Sequence, residues 1–258
     1  MSAAEQQVCS LAGRSALVTG GSRGIGRAAC MGFAQAGADV AVHYHTRRER
    51  AEEVVARIQG IGRRAVVVRA DVTRAAEVDA MMNEVADFVG DRGLHVLFNN
   101  AGVYPPGSLE SLSVEEWDRV MGINARGPFL CTRAALPLLK AAHEARVINI
   151  GTVMAYRGIA GMLQYIASKS AVVGFTRGLA RELAAHGITV NCVTPSMVQT
   201  ETAERDYGGD EVGVIADQAI QRYQQPEDLV GLLVFLASES SSFITGQTIL
   251  ADGGRSFL

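Results

Sequence analysis

Two residues in the run YIASK (165–169) are equipped for proton transfer, Tyr165 and Lys169. Their i, i+4 spacing places both on one face of a helix, where the side chains can approach each other. A free tyrosine titrates near pH ~10 and is a poor base at neutrality, but a neighbouring ammonium stabilises the phenolate and lowers that value. Tyr165 could then give a proton to a carbonyl oxygen or take one from an alcohol. Alone, such a pair is as readily the decoration of a solvated helix. It becomes chemistry only beside a group that exchanges electrons.

Residues 17–26 read LVTGGSRGIG and supply a place for that group. Gly20, Gly24 and Gly26 follow an apolar run and open a helical pattern. Gly20 permits a tight turn, Gly24 lets backbone approach a pyrophosphate, and Gly26 lets helix pack on strand. The helix start offers free N–H groups and partial positive charge to an anion, with Ser22, Arg23 and Ile25 in the same turn. A glycine cluster by itself also reads as an ordinary turn. Its position between a first strand and a first helix makes it a dinucleotide turn.

The second strand ends His43–Tyr44–His45–Thr46–Arg47–Arg48. No carboxylate stands where an NAD site usually has one; Asp39 begins the strand and Glu49 falls in the next helix. Arg23 and Arg47 can pair a 2′-phosphate bidentately. The expected cofactor is therefore NADP(H) in preference to NAD(H), held at this edge by Arg23, Tyr44, His45, Thr46 and Arg47. The plainer alternative is that Arg47 and Arg48 merely face solvent at a helix start.

These residues need a scaffold, and the composition allows one. The chain has 258 residues, 48% hydrophobic and 20% charged, which is ample for a core and excludes disorder. Its 24 basic and 27 acidic residues leave a formal charge of −3, so no general attraction to nucleic acid or anionic membrane is expected. The four cysteines are scattered without a C-x-x-C, as in a reduced protein rather than a disulfide framework. No secretory signal pattern and no long apolar span is present, which predicts a soluble cytoplasmic protein. The five histidines make no metal-ligand spacing, and no metal is expected.

Short β-branched runs alternate with helical patterns. Strands are expected at 16–19, 40–42, 65–68, 96–98, 147–150, 189–193 and 248–250, with helices at 25–35, 48–59, 74–89, 114–142, 165–185 and 227–237. This alternation predicts an α/β domain, a parallel sheet of about seven strands with helices on both faces. The whole chain, 1–258, forms one domain in this reading, with a flexible N-terminus to about residue 10. Residues 103–113 form a loop. Residues 196–222, long and weakly patterned beside the sheet's carboxyl edge, are expected to form a mobile substrate lid.

Taken together, TGGSRGIG (19–26), Asp71, NNAG (99–102), Asn124, YIASK (165–169) and ITVNCVTPSMVQT (188–200) resemble the short-chain dehydrogenase/reductase family. The resemblance runs from about Leu11 to Gly254, with every motif in order. It implies a single Rossmann-type, doubly wound domain and hydride exchange between NAD(P) and CH–OH groups. It also implies that Lys169 binds the nicotinamide ribose and that a hydroxyl residue stands 13 positions before the tyrosine. The family usually has serine there; this chain has Thr152, whose methyl stiffens χ1 and narrows the pocket. Asn124 matches the asparagine that supports a proton relay behind the lysine, although a helix-distorting, locally bonded Asn is an equal reading of the sequence. Asp71 with Val72 corresponds to the adenine site. Asn99, Ala101 and Gly102 lie along the cofactor; Pro195, Val198 and Thr200 lie beside the nicotinamide. Ser196 replaces a common glycine.

The expected substrate walls are Met154, Tyr156, Met162 and Met197, with Tyr207 from the lid, which suit a modest apolar ketone or alcohol. The near rival is a 3-oxoacyl-carrier-protein reductase. Such enzymes grip the acidic carrier with arginines near the active-site entrance, and the corresponding positions here carry His143 and His186. A rival of another class is a dinucleotide-sensing protein without catalysis, which the retained Tyr165 and Lys169 oppose. The resemblance further implies a homotetramer, with the C-terminal strand and tail at a subunit interface.

Overall fold

The computed structural model describes residues 9–201, 203 and 212–257. Seven strands form one sheet: β1 (Ser15–Val18), β2 (Asp39–Tyr44), β3 (Ala65–Arg69), β4 (Val96–Asn99), β5 (Arg146–Ile150), β6 (Thr189–Pro195) and β7 (Thr248–Ala251). Their order is β3-β2-β1-β4-β5-β6-β7 and every pairing is parallel. Each expected strand is present; β1 lies one residue earlier than expected and the other six are longer by one to three residues. The order reverses between β1 and β4, which leaves a crevice beyond their carboxyl ends.

Helices cover both faces because neighbouring strand residues point to opposite sides. Val18, Val40, Val42 and Phe98 pack against α1 (Gly24–Gln35), α2 (Arg48–Gly60) and α9 (Val230–Ala237). Phe33 of α1 meets Phe98 edge to face at 6.5 Å. Leu17, Ala41, Leu97 and Val147 pack the other way, against α3 (Ala75–Val89), α5 (Gly127–Ala141) and α7 (Leu163–Leu183). Strands β1, β2, β4, β5 and β6 are buried along their whole length, which suits their largely apolar sequences.

The single helix expected over 114–142 is broken. It consists of α4 (Val114–Met121), a π turn at Gly122–Arg126, and α5. Ser113 caps α4 by accepting from the Glu116 amide. The π turn centres on Asn124 and is caused by that side chain's bonds to a neighbouring loop, described below. After β5 comes the one-turn α6 (Met154–Arg157). Within the expected lid, residues 212–216 form the short α8 (Val212–Ala216), while Tyr207 lies outside the described residues. Among the described residues no helix is long and apolar enough to cross a membrane.

Candidate active site

The crevice is a cleft of about 600 Å³. At one end lies the glycine turn. Gly20 has φ +65, and a Cβ there would stand 3.1 Å from the Ala101 Cα. A Cβ on Gly26 would stand 2.1 Å from the Gly20 carbonyl oxygen, so only glycine lets α1 close on the turn. Thr19 Oγ1 accepts from the Asn100 and Ala101 amides at 2.9 and 3.0 Å, and Asn100 Nδ2 donates to the Thr19 carbonyl at 2.9 Å. The turn is thereby sewn to the end of β4. No side chain caps the start of α1, and its first turn holds no acid. Those free N–H groups and the glycine cradle fit a dinucleotide pyrophosphate.

A residue not singled out in the sequence completes this end. His43 Nδ1 accepts from the Gly20 amide at 2.9 Å, and its Nε2 lies 3.0 Å from the Ala70 carbonyl. The first contact requires a bare Nδ1 and the second a protonated Nε2, so the ring is the neutral Nε2–H tautomer. Burial holds it there, bringing its pKa down to about 4. The sequence signal was faint: one imidazole on a strand that otherwise reads apolar.

Ser22, Arg23, Gly24, Ile25, Tyr44, His45, Thr46 and Arg47 all line the cleft, as do Asp71, Val72, Ala101 and Gly102. Burial pushes the Asp71 carboxyl up, but the amide and hydroxyl of Thr73 outweigh it and leave the group below its ordinary value. Asp39 serves elsewhere. It sits at the opposite edge of the sheet and binds Arg63, Arg64 and Arg92 at 2.7, 3.0 and 3.1 Å.

Asn99 departs from expectation. It is the last residue of β4 and points into the helix layer, where Nδ2 donates to Thr132 Oγ1 at 3.1 Å and Asn149 Oδ1 at 2.9 Å. It does not line the cleft; the next residue, Asn100, does, because side chains alternate along a strand.

Thr152, Tyr165 and Lys169 line the same cleft. Thr152 follows β5 and is 4% exposed; Tyr165 and Lys169 come from the first two turns of α7. Lys169 Nζ donates to the Ile150 carbonyl at 2.8 Å, and burial lowers its pKa to about 8. A Cβ on Gly102 would lie 3.1 Å from Asn124 Oδ1 and 3.5 Å from Lys169 Nζ, so these two groups flank the same glycine. Asn124 is fully buried behind the cleft wall, not in it. Its Oδ1 accepts from the Val103 amide at 2.9 Å, and its Nδ2 donates to the Val103 carbonyl at 2.8 Å and Ser168 Oγ at 3.0 Å. Reaching Val103 is what pulls the helix into its π turn.

Pro195, Val198 and Thr200 line the cleft from the end of β6, with Ser196 and Met197 between them. This segment is pinned by Gln224: its Oε1 accepts from the Ser196 amide at 3.0 Å and its carbonyl from the Gln199 amide at 2.8 Å. Met154, Met162 and Met197 face the cleft. Tyr156 does not. It packs on Val172, Val173 and Cys192, with its hydroxyl buried and unpartnered among the described residues. Residues two apart on a helix point about 200° from each other, so Met154 and Tyr156 cannot both face inward. Tyr104 takes the aromatic place instead, its ring edge-on to Tyr165 at 6.1 Å.

His143 and His186 are also displaced from expectation. They follow α5 and α7 at the N-terminal edge of the sheet, where the His143 carbonyl lies 2.7 Å from a Cβ built on Gly187. The 21 residues of α7 span about 30 Å, so within one chain neither histidine borders the cleft. Among the described residues no group of acidic, histidine or cysteine side chains forms a metal cluster.

A family model described as "Enoyl-(Acyl carrier protein) reductase" matches residues 20–256. The 3-oxoacyl-[acyl-carrier-protein] reductase FabG of Staphylococcus aureus is 38% identical over 241 residues, 93% of this chain and 97% of that protein. A dehydrogenase/reductase from Sinorhizobium meliloti is 39% identical with a TM-score of 0.90, covering 97% of this chain and 98% of the other. A short-chain dehydrogenase from Burkholderia cenocepacia, solved in complex with NADP, is 39% identical with a TM-score of 0.88 over 95% of this chain and 98% of its own. Motifs, sheet order and relatives agree: the chain belongs to the short-chain dehydrogenase/reductase family.

Proposed function

We propose that the chain is an NADP(H)-dependent oxidoreductase that interconverts a modest apolar ketone and its secondary alcohol. One observation carries the reading: a glycine turn with an uncapped helix start and the trio Thr152, Tyr165 and Lys169 line a single cleft. When bound, the nicotinamide supplies or accepts the hydride at the substrate carbon. Thr152 donates to the substrate oxygen and orients it. Tyr165 delivers the proton to that oxygen in reduction and removes it in oxidation. Lys169 favours the tyrosinate by its charge and binds the nicotinamide ribose. Asn124 is a positioning residue that holds the loop at Val103 and the helix carrying Tyr165. Gly20, Gly24 and the start of α1 hold the pyrophosphate, and Arg23 and Arg47 the 2′-phosphate. A relative solved with NADP supports this choice of cofactor.

Met154, Met162, Met197 and Tyr104 give the substrate end adaptable thioethers and a flat ring, suited to an aromatic or alicyclic group. Cofactor-coupled turnover over a panel of carbonyls and alcohols tests the reading, and a clear preference for NAD(H) would overturn its cofactor. A second reading, reduction of a 3-oxoacyl thioester, is favoured by the FabG relatives. Turnover of an acetoacetyl thioester against simple ketones separates the two.

The assembly in this reading is a homotetramer that uses the β7 edge. Thr248 Oγ1, Asp252 Oδ2, Arg255 Nε and Nη1, and Ser256 Oγ are buried without partners among the described residues, and Phe257 beside them is 86% exposed. A second copy would cover the exposed Phe257.

A further inference from the structure

Glu201 lines the cleft just past the nicotinamide segment and rests its carboxylate on Arg50 of α2, 151 positions away in the chain. Its neighbour Thr200 lies against the glycine turn, with Cγ2 3.1 Å from where a Cβ on Gly24 would stand. The carboxylate is thus hung beside the pyrophosphate cradle. The Arg50 hydrogen bond holds the Glu201 carboxyl below the usual range, and the charges of Arg27 and Arg23 add to it. Arg23 and Arg47 face the same cleft. One carboxylate therefore lies in the field of Arg23, which the proposed function gives to a phosphate. The pair contributes little to the fold, since the side chains of Arg50 and Glu201 are 38% and 47% exposed. Where it stands is what distinguishes it.

We propose that Glu201 is an internal anion that competes with the cofactor's 2′-phosphate for these arginines, and so sets how strongly the chain separates NADP(H) from NAD(H). This inference rests on the NADP(H) reading above. Both dinucleotides bring the same pyrophosphate past the carboxylate, and only the one with the 2′-phosphate makes a further demand on the arginines. A dinucleotide with it must draw the cations away and sit near a like charge. Removing the carboxylate releases Arg50 and removes the repulsion. Arg50 is thereby the residue through which the carboxylate is held, and its removal should cancel the effect of losing Glu201.

The test is binding, free of turnover. The full chain and Glu201→Gln are titrated with NADPH, NADH and 2′,5′-ADP, at salt of about 50 mM and about 500 mM. The expected result is that Glu201→Gln tightens NADPH and 2′,5′-ADP by roughly 3- to 10-fold at low salt and NADH by less than about twofold. The gain should shrink at high salt, and adding Arg50→Gln should abolish it. Weaker or unchanged NADPH binding overturns the inference, as does an equal gain for NADPH and NADH. Tighter NADH than NADPH in the unaltered chain would instead overturn the cofactor reading, whatever the variant does.

Discussion

Asn124 and Val103 hydrogen-bond each other twice, amide to Oδ1 and Nδ2 to carbonyl, at 2.9 and 2.8 Å. A side-chain amide here copies a strand partner and ties a loop to the middle of a helix. The loop carries Tyr104, and the third bond runs through Ser168 Oγ to the Tyr165 carbonyl at 2.7 Å. Asn124→Ala leaves two half-buried backbone groups without their partner. The expected cost is about 1–3 kcal/mol, seen as a lower urea midpoint. Turnover should fall more steeply than stability, with kcat lost and dinucleotide affinity kept.

Tyr165→Phe removes only the hydroxyl. Carbonyl reduction should drop by roughly 10²–10⁴-fold, while NADPH binding measured by fluorescence stays within about twofold. Reduction at the unaltered rate would remove Tyr165 from proton transfer.

Thr152→Ala should cost roughly 10²–10³ in kcat if, as proposed, it deletes the donor to the substrate oxygen. Thr152→Ser keeps that donor and frees χ1. The serine variant should retain turnover and accept bulkier ketones, read as a rise in kcat/KM for the larger members of the panel.

His43 makes stability fall in acid. Its folded pKa is about 4 against an ordinary 6.5, so between those values the unfolded chain binds the extra proton. The stabilisation is fully present above about pH 6.5 and is lost as pH falls toward 4, on the order of 3 kcal/mol in all. His95, also lowered to about 4 by burial and by the charges of Arg14 and Arg92, acts in the same window. His43→Gln should flatten the pH dependence of urea unfolding without removing it. Protonation also turns Nδ1 from acceptor to donor against the Gly20 amide, so NADPH affinity should fall across the same interval in the unaltered chain.

Deleting residues 255–258, or Phe257→Asp, should lower the mass measured by light scattering if the β7 edge joins copies. An unchanged assembly would place the interface elsewhere.

Much of this was written in the chain, for identifiable reasons. Central strands were legible because burial on both faces favours apolar, β-branched runs, as in VLF at 96–98, and the half-buried edge strand β3 kept the same signal in AVVV at 65–68. The glycine turn was legible because sterics leave no alternative at Gly20 and Gly26. Distance effects were not. Asn99 and Asn100 are adjacent letters, and only the end of β4 decides which one meets the cleft. Tyr156 read as a pocket wall until α6 proved helical, which turns it away from the face that Met154 presents. The His43 contact joins residues 23 apart and leaves no periodic trace. His143 and His186 matched an entrance by alignment alone, while α7 carries His186 a full helix length from Tyr165.

The π turn at Gly122–Arg126 amounts to one residue more than the α-helical ladder needs. Excising that surplus residue would restore regular winding and strengthen the rod from 114 to 141 as an isolated helix. It would also rotate everything upstream by about 100° relative to everything downstream and swing the carboxamide away from its loop. Gain of regularity and loss of catalysis would come from the same deletion, so a search for hardier variants should leave this irregularity alone.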